Sequence, residues 1–287
     1  MEFIGIYTTN RCNLKCKYCF AEKNFLDINP KEVCEFVKYY VKNNNEKKHM
    51  VLFTGGEPLL HKELKTMILN LKNSVEKIIV LTNGVLINED WIKFFKENNI
   101  YLHISLDSIT PEYHNTYRGE YYNIKKNLEK IEKNNIPITI CMTMSRKNIV
   151  EVIEMIHYTK ERNFNLDLNL ISLNSTDELS WENASKEEIQ QAIIAIEKWA
   201  NITGRIVKGK LMVSILKKSN LKIPFCYNEK HTVIICTDGN VYPCFFNKKN
   251  LYGNIYRDLF QNILDKKSLE CKKILDCFGM ECLGIYD

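Results

Sequence analysis

Over roughly the first two hundred residues, apolar runs of six to eight positions alternate with stretches in which apolar residues recur every three or four positions. The runs Phe3–Thr9, His49–Thr54, Lys77–Thr82, Ile100–Asp107, Ile138–Met144 and Asn165–Ser172 read as strands, and each is followed by a helical period. That alternation is the pattern of parallel strands joined by helical crossovers. Two helix starts are well marked. Asn29-Pro30 with Glu32 offers an N-cap, a proline in the first turn and an acid at the third position, ahead of Val33, Phe36, Val37, Tyr40 and Val41 on one face. Ser185 to Glu188 reads as a capping box before Ile189, Ile193, Ile196 and Ala200. Six such units predict an α/β fold, an open or partial (β/α)6 barrel over residues 1–204; a doubly wound sheet shares the same period and stays open as the alternative. Past Gly204 the helical period weakens. Residues 205–287 are expected to form a small cysteine-rich hairpin-plus-helix unit, with Thr232–Cys236 and Val241–Cys244 paired across an Asp238-Gly239 turn.

Composition narrows the class. At 287 residues, 45% hydrophobic and 26% charged with few Gly and Pro, the chain is globular, not disordered or fibrous. Its amino end carries Glu2 and turns polar at Thr8, unlike a secretory signal, and no apolar run reaches the length of a membrane span. A cytoplasmic, non-membrane protein is expected. Eleven cysteines then point to metal binding more than to disulfides. The net charge of +5 is spread in alternating signs, so nucleic acid is not an implied partner.

Directly after the first strand comes Cys12-x3-Cys16-x2-Cys19. Three thiolates so close can grip three irons of a 4Fe-4S cluster and leave the fourth open, although a zinc knuckle short of one ligand would look the same. Strand two runs into Gly55-Gly56-Glu57, where glycines allow close approach of backbone and a carboxylate can receive an ammonium group. Strand three ends in Thr82-Asn83-Gly84. Strand four places Ser105 and Asp107 on one face by period two, a hydroxyl and a carboxylate suited to a ribose or a polar ligand tail. All lie at the carboxyl ends of strands, where barrel enzymes keep their sites. On strands five and six Thr139, Cys141, Thr143, Asp167 and Asn169 alternate with aliphatic residues, which suits a polar lumen.

With Cys12, Cys16 and Cys19 in C-x3-C-x-Tyr-C, Gly55-Gly56-Glu57 and Ser105-Leu106-Asp107, the chain resembles the radical S-adenosylmethionine superfamily over roughly residues 3–200. The resemblance implies that the three cysteines hold a 4Fe-4S cluster whose fourth iron is chelated by S-adenosylmethionine (SAM), with Gly55, Gly56 and Glu57 along the methionine end. It implies Tyr18 near the adenine, Ser105 and Asp107 near the ribose or carboxylate, and Asn83 and Arg118 as lesser contacts. One-electron reduction would release a 5′-deoxyadenosyl radical that abstracts hydrogen from a substrate, with the electron drawn from an external donor such as flavodoxin or ferredoxin.

Cys226-x12-Gly239-x4-Cys244 resembles the opening of the SPASM and Twitch auxiliary-cluster domains. The remaining pattern is incomplete: Cys271, Cys277 and Cys282 are present, but Ser268 stands where a further cysteine would be. One auxiliary 4Fe-4S cluster on Cys226, Cys244 and two of the last three cysteines is the leading expectation. Cys236 as a substitute ligand would permit a second, and a structural zinc site is the plain alternative. Cys34 reads as a core residue, Cys141 as a buried thiol or a hydrogen donor, and His103 as an interior histidine. By resemblance, the leading substrate is a ribosomally made peptide to be crosslinked, joined through a thioether, epimerised or oxidised. Since the barrel begins at residue 3, a separate leader-recognition protein, or recognition by the barrel mouth, is expected. The rivals are a small-molecule dehydrogenase or cyclase, and a non-catalytic iron-sulfur carrier or sensor. A molybdenum-cofactor cyclase is disfavoured because its relatives end in Gly-Gly, and a sulfatase-maturing enzyme because the SPASM set is incomplete.

Overall fold

The computed structural model describes residues 2–21, 24–171, 177–217, 231–245 and 250–270. Cys226, Cys271, Cys277 and Cys282 lie outside the described residues, as does Ser172 at the end of the sixth expected strand. Strands β1 (Glu2–Thr9), β2 (His49–Gly55), β3 (Lys77–Thr82), β4 (Tyr101–Ser105), β5 (Ile138–Met144) and β6 (Asn165–Leu170) pair in parallel, each beside its predecessor. The helices are α1 (Pro30–Asn43), α2 (Leu64–Leu71), α3 (Glu89–Glu97), α4 (Pro111–Tyr117), α5 (Tyr121–Lys133), α6 (Glu151–Glu161), α7 (Lys186–Thr203), α8 (Ile206–Leu216) and, late in the chain, α9 (Phe260–Glu270).

Strand order excludes the doubly wound alternative. Because each strand is added on the same side by a right-handed crossover, the helices collect on one face and never switch to the other. One continuous core results, in which Ile4, Phe53, Val80, Leu102, Ile140 and Leu168 meet Phe36, Met67, Phe95, Leu128, Met155 and Trp199. Both expected helix starts are present. Asn29 Oδ1 accepts from Lys31 and Glu32 main-chain N–H groups, and Ser185 and Glu188 form the reciprocal capping box.

The expected hairpin of the cysteine-rich unit joins the main sheet. This hairpin, β7 (Thr232–Ile235) and β8 (Asn240–Tyr242), continues into β9 (Gly253–Asn254), and β7 lies parallel to β1 on the edge that β2 leaves open. A single nine-stranded sheet runs β6-β5-β4-β3-β2-β1-β7-β8-β9, and its two ends do not pair. Gly239 makes the hairpin turn in the left-handed region at φ 84°, and a Cβ there would also strike the Tyr256 ring at 2.5 Å. On the outer side Phe260 packs edge-on against Phe36 and Tyr39, and Tyr39 Oη donates to Gln261 Oε1 at 2.7 Å. No helix among the described residues is long and apolar enough to cross a membrane.

The inner face is divided. On β7, β1, β2 and β3 it is apolar, built from Ile234, Phe3, Leu52 and Ile79 with Tyr7, Leu81 and Phe245 against them. On β4 to β6 it carries His103 and Ser105, then Thr139, Cys141 and Thr143, then Asp167 and Asn169, with Ser105, Cys141 and Asp167 side by side in register. The polar lumen read from alternation therefore occupies one half of the sheet.

Candidate active site

The loop after β1 is fastened to the carboxyl ends of the strands from several directions. Gly56 N–H donates to Thr9 O at 2.7 Å and Glu57 N–H to Arg11 O at 2.8 Å, so β2 stays paired with the loop beyond the strand proper. A Cβ on Gly55 would lie 2.3 Å from Thr9 O, and one on Gly56 2.2 Å from Arg11 O. Contact this close requires glycine at both positions. From the far end of the loop Asp27 accepts from Thr9 Oγ1 at 2.5 Å and from Arg11 at 2.6 and 3.0 Å. Arg11 also donates to Leu60 O. Cys12 and Cys19 are exposed and Cys16 is half-buried, all three on this clasped loop. Burial pushes the Cys12 and Cys16 thiols up, and the Arg118 cation opposes it at Cys16. Among the described residues no three Cys, His, Asp or Glu side chains surround a single metal ion. A cubane spreads its thiolates over separate irons, which three thiols on one short loop can serve.

Glu57 turns inward. Its fully buried carboxylate accepts from Thr82 Oγ1 at 2.7 Å, Asn83 N–H at 2.8 Å and Leu59 N–H at 3.1 Å, tying the end of β2 to the end of β3. Burial, against those three bonds, pushes its carboxyl up to about 7. What residues 55–57 present at the strand edge is main chain, not a carboxylate held out for an ammonium group. Asn83 bridges back to the loop: its Nδ2 donates to Asn13 Oδ1 at 2.8 Å and approaches Cys12 Sγ at 3.9 Å.

Asp107 also differs from the simple reading. The β4 ladder stops at Ser105, so period two does not extend to Asp107, which is fully buried beyond the strand while Ser105 faces the lumen. The Asp107 carboxylate receives Arg118 Nε at 3.0 Å, Arg118 Nη2 at 3.3 Å, Thr143 N–H at 2.9 Å and the Tyr18 hydroxyl. Burial alone would raise its pKa, but the guanidinium of Arg118 holds it below the usual carboxylate range. Arg118 also lies 5.5 Å from the Tyr18 ring centre. Tyr18, Asp107 and Arg118 thus form one part-buried knot at the base of the loop, seated further by Lys17 N–H donating to Tyr117 O. Cys141 is half-buried on the lumen wall, Cys34 is buried in the outer core, and Cys236 and Cys244 follow β7 and β8 with intermediate exposure.

Several site-building residues carry no motif. Arg11 and Asp27 close the loop, while His114 Nδ1 accepts from Asp107 N–H at 3.3 Å and Asn148 Nδ2 donates to Asp107 O at 2.9 Å. Beside Cys141 on the lumen wall, Arg205 and Lys208 reach Asp167. Their signal was present as two cations at the start of a segment otherwise rich in Ile, Val, Leu and Met.

The chain is similar to proteins that share this arrangement. The Radical SAM superfamily profile matches residues 6–159, and the SPASM profile, an iron-sulfur cluster-binding domain, matches residues 226–281. A cysteine-type anaerobic sulfatase-maturating enzyme of Clostridium novyi is 30% identical over 277 residues, covering 83% of this chain and 71% of that protein. A probable GTP 3',8-cyclase of Methanococcus aeolicus is 31% identical over 299 residues, covering 95% and 97%. Both activities disfavoured on sequence grounds are thus names borne by relatives. In fold, the chain is similar to anSMEcpe solved with bound AdoMet and a Kp18Cys peptide, with a TM-score of 0.73 at 22% identity over 94% of this chain and 82% of that one. With a clasped three-cysteine loop over the open end of a parallel half-barrel and a carboxyl-terminal SPASM match, the chain belongs to the radical SAM superfamily and is a SAM-dependent iron-sulfur enzyme.

Proposed function

We propose that Cys12, Cys16 and Cys19 hold one 4Fe-4S cluster, that SAM lies across the carboxyl ends of β1 to β4, and that the enzyme abstracts hydrogen from a peptide. When bound, cluster and SAM supply the 5′-deoxyadenosyl radical chemistry. The chain's part is to hold and to shield. The main chain of Gly55 to Glu57 borders the methionine end, while Asn83 steadies the loop at Cys12 and Ser105 offers its hydroxyl from the lumen wall. Asp107 acts through Tyr18 and Arg118, keeping the aromatic ring and the cation in place beside Cys16. The clasp of the cysteine loop onto Gly55-Gly56 carries this reading, because a loop packed to the limit of glycine has one position in which to present its thiols.

Within residues 205–287 a single auxiliary 4Fe-4S cluster on Cys226, Cys244 and two of Cys271, Cys277 and Cys282 fits the thiolate count, with Cys236 the substitute if there are two. A flavodoxin- or ferredoxin-type donor would supply the electron, and a separate protein would recognise a leader segment. A peptide substrate is supported by the sulfatase-maturating relative and by the peptide-bound neighbour. The near full-length cyclase relative favours a second reading, a nucleotide substrate. Anaerobic reconstitution with dithionite and SAM is expected to yield 5′-deoxyadenosine, and none from a fully loaded enzyme sinks the proposal. Cys12→Ala/Cys16→Ala/Cys19→Ala should abolish the product and retain about four irons for one auxiliary cluster or about eight for two. Stimulation of 5′-deoxyadenosine release by cysteine-containing peptides, against GTP, separates the two substrates.

A further inference from the structure

The polar half of the lumen becomes charged where α8 meets β6, beside Cys141. Because α7 runs back along β6, with Trp199 Nε1 donating to Leu166 O at 3.1 Å, the start of α8 arrives beneath the inner face. Lys208, its side chain 4% exposed, there donates to Asp167 Oδ1 at 2.7 Å and to Asn169 Oδ1 at 3.1 Å. Arg205 reaches the same carboxylate oxygen at 3.2 Å. One carboxylate is shared by two cations, and Asn169 Nδ2 braces it from the side at 3.2 Å.

A third cation faces this cluster without such a partner. Lys77, at the start of β3, rests its ammonium 3.7 Å from the centre of the Tyr101 ring and meets no carboxylate among the described residues. His103 lies between, on the inner face of β4, and its ring makes no hydrogen bond among the described residues. Charges face it from three elements: Lys77 on β3, Asp167 on β6, and Arg205 and Lys208 at α8. Burial chiefly, and those cations, hold the imidazole at about 4, neutral near pH 7, with an N–H to give. A half-buried ammonium that keeps its charge without a counter-ion is costly unless a ligand supplies one.

We propose that Lys77 and His103 form a subsite at the amino end of the lumen that takes an anionic group of the substrate, a carboxylate or a phosphate, with Arg205 and Lys208 fixed behind it by Asp167. This rests on the lumen being the substrate cavity. It places the anchored end of the substrate on the floor and leaves the reacting end toward the cysteine loop.

Calorimetric titration of the reconstituted, SAM-loaded enzyme with pyrophosphate and with glutarate tests it at low ionic strength. One of the two anions is expected to saturate a single site, with Lys77→Gln weakening it about tenfold or more and Lys77→Arg restoring it. Preference for pyrophosphate identifies a nucleotide-type source, and preference for glutarate a peptide-type source. As a second readout, the bound anion should raise the titration of the His103 ring, followed by imidazole NMR, because a nearby negative charge favours the imidazolium. The proposal is overturned if neither anion saturates, or if Lys77→Gln binds both as the wild type does. Anion binding is read without turnover, so 5′-deoxyadenosine formation with no anion site sinks the subsite alone.

Discussion

Glu57 is buried and His103 half-buried, with opposite consequences for acid sensitivity. Glu57 is held near 7, above its ordinary value of 4.5, so its favourable share is complete below that value and is lost as pH rises through about 7. His103 and His114 are both held near 4, below 6.5, so their share is complete above 6.5 and is lost as pH falls toward 4. The wild-type curve between these limits is the difference of the two effects. His103→Gln should therefore flatten the pH dependence of urea unfolding between 4 and 6.5, by a ceiling of about 3 kcal/mol across the window. An unaltered slope would mean that His103 titrates alike in the folded and unfolded chain.

At the scale of elements, the pairing of the cysteine loop with β2 is the feature most exposed to a single methyl group. Gly56→Ala sets a Cβ 2.2 Å from Arg11 O, where the obstacle is main chain and cannot rotate away. The expected cost is about 1–3 kcal/mol, accompanied by reduced iron on reconstitution; normal iron content at wild-type stability would show that the loop yields freely. The same elements show what the sequence makes legible. Strands β1 to β6 could be read to within about two residues at their ends, and both capped helix starts to the residue, because period two, period 3.6 and cap chemistry are local signals. The three cysteines and two glycines that meet at the loop after β1 were equally readable. The inward turn of Glu57 and the knot of Asp107 with Arg118 and Tyr18 were not, since a carboxylate's choice between a ligand and a buried partner depends on residues far away in sequence. The adoption of β7 by β1 was hidden for the same reason.

For the molecule as a whole, that adoption makes the sheet common property of both halves of the chain. Trp91, Trp181 and Trp199 all precede residue 205, so tryptophan fluorescence reports chiefly on the barrel, with α8 sensed where Lys208 lies 5.9 Å from the Trp199 ring. Phe260→Ala removes a ring that sits 5.2 Å from Phe36 and 5.7 Å from Tyr39. It is expected to lower the denaturant midpoint seen by those tryptophans, by about 1–3 kcal/mol for a half-buried ring, in one transition coincident with far-UV circular dichroism. An unchanged fluorescence midpoint would show that the two halves unfold independently.

The pairing of Phe3 with Thr232 also imposes an order of events during synthesis. β1 can find β2 early, but its opposite edge has no partner until the ribosome has passed Thr232. The strand that leads into the cysteine loop is therefore braced on one side while most of the chain is made, with an open row of main-chain donors and acceptors on the other. A cell making this protein would need to keep that edge from foreign strands, and assembly of iron and sulfide on the loop could begin on a barrel whose last seam is still open.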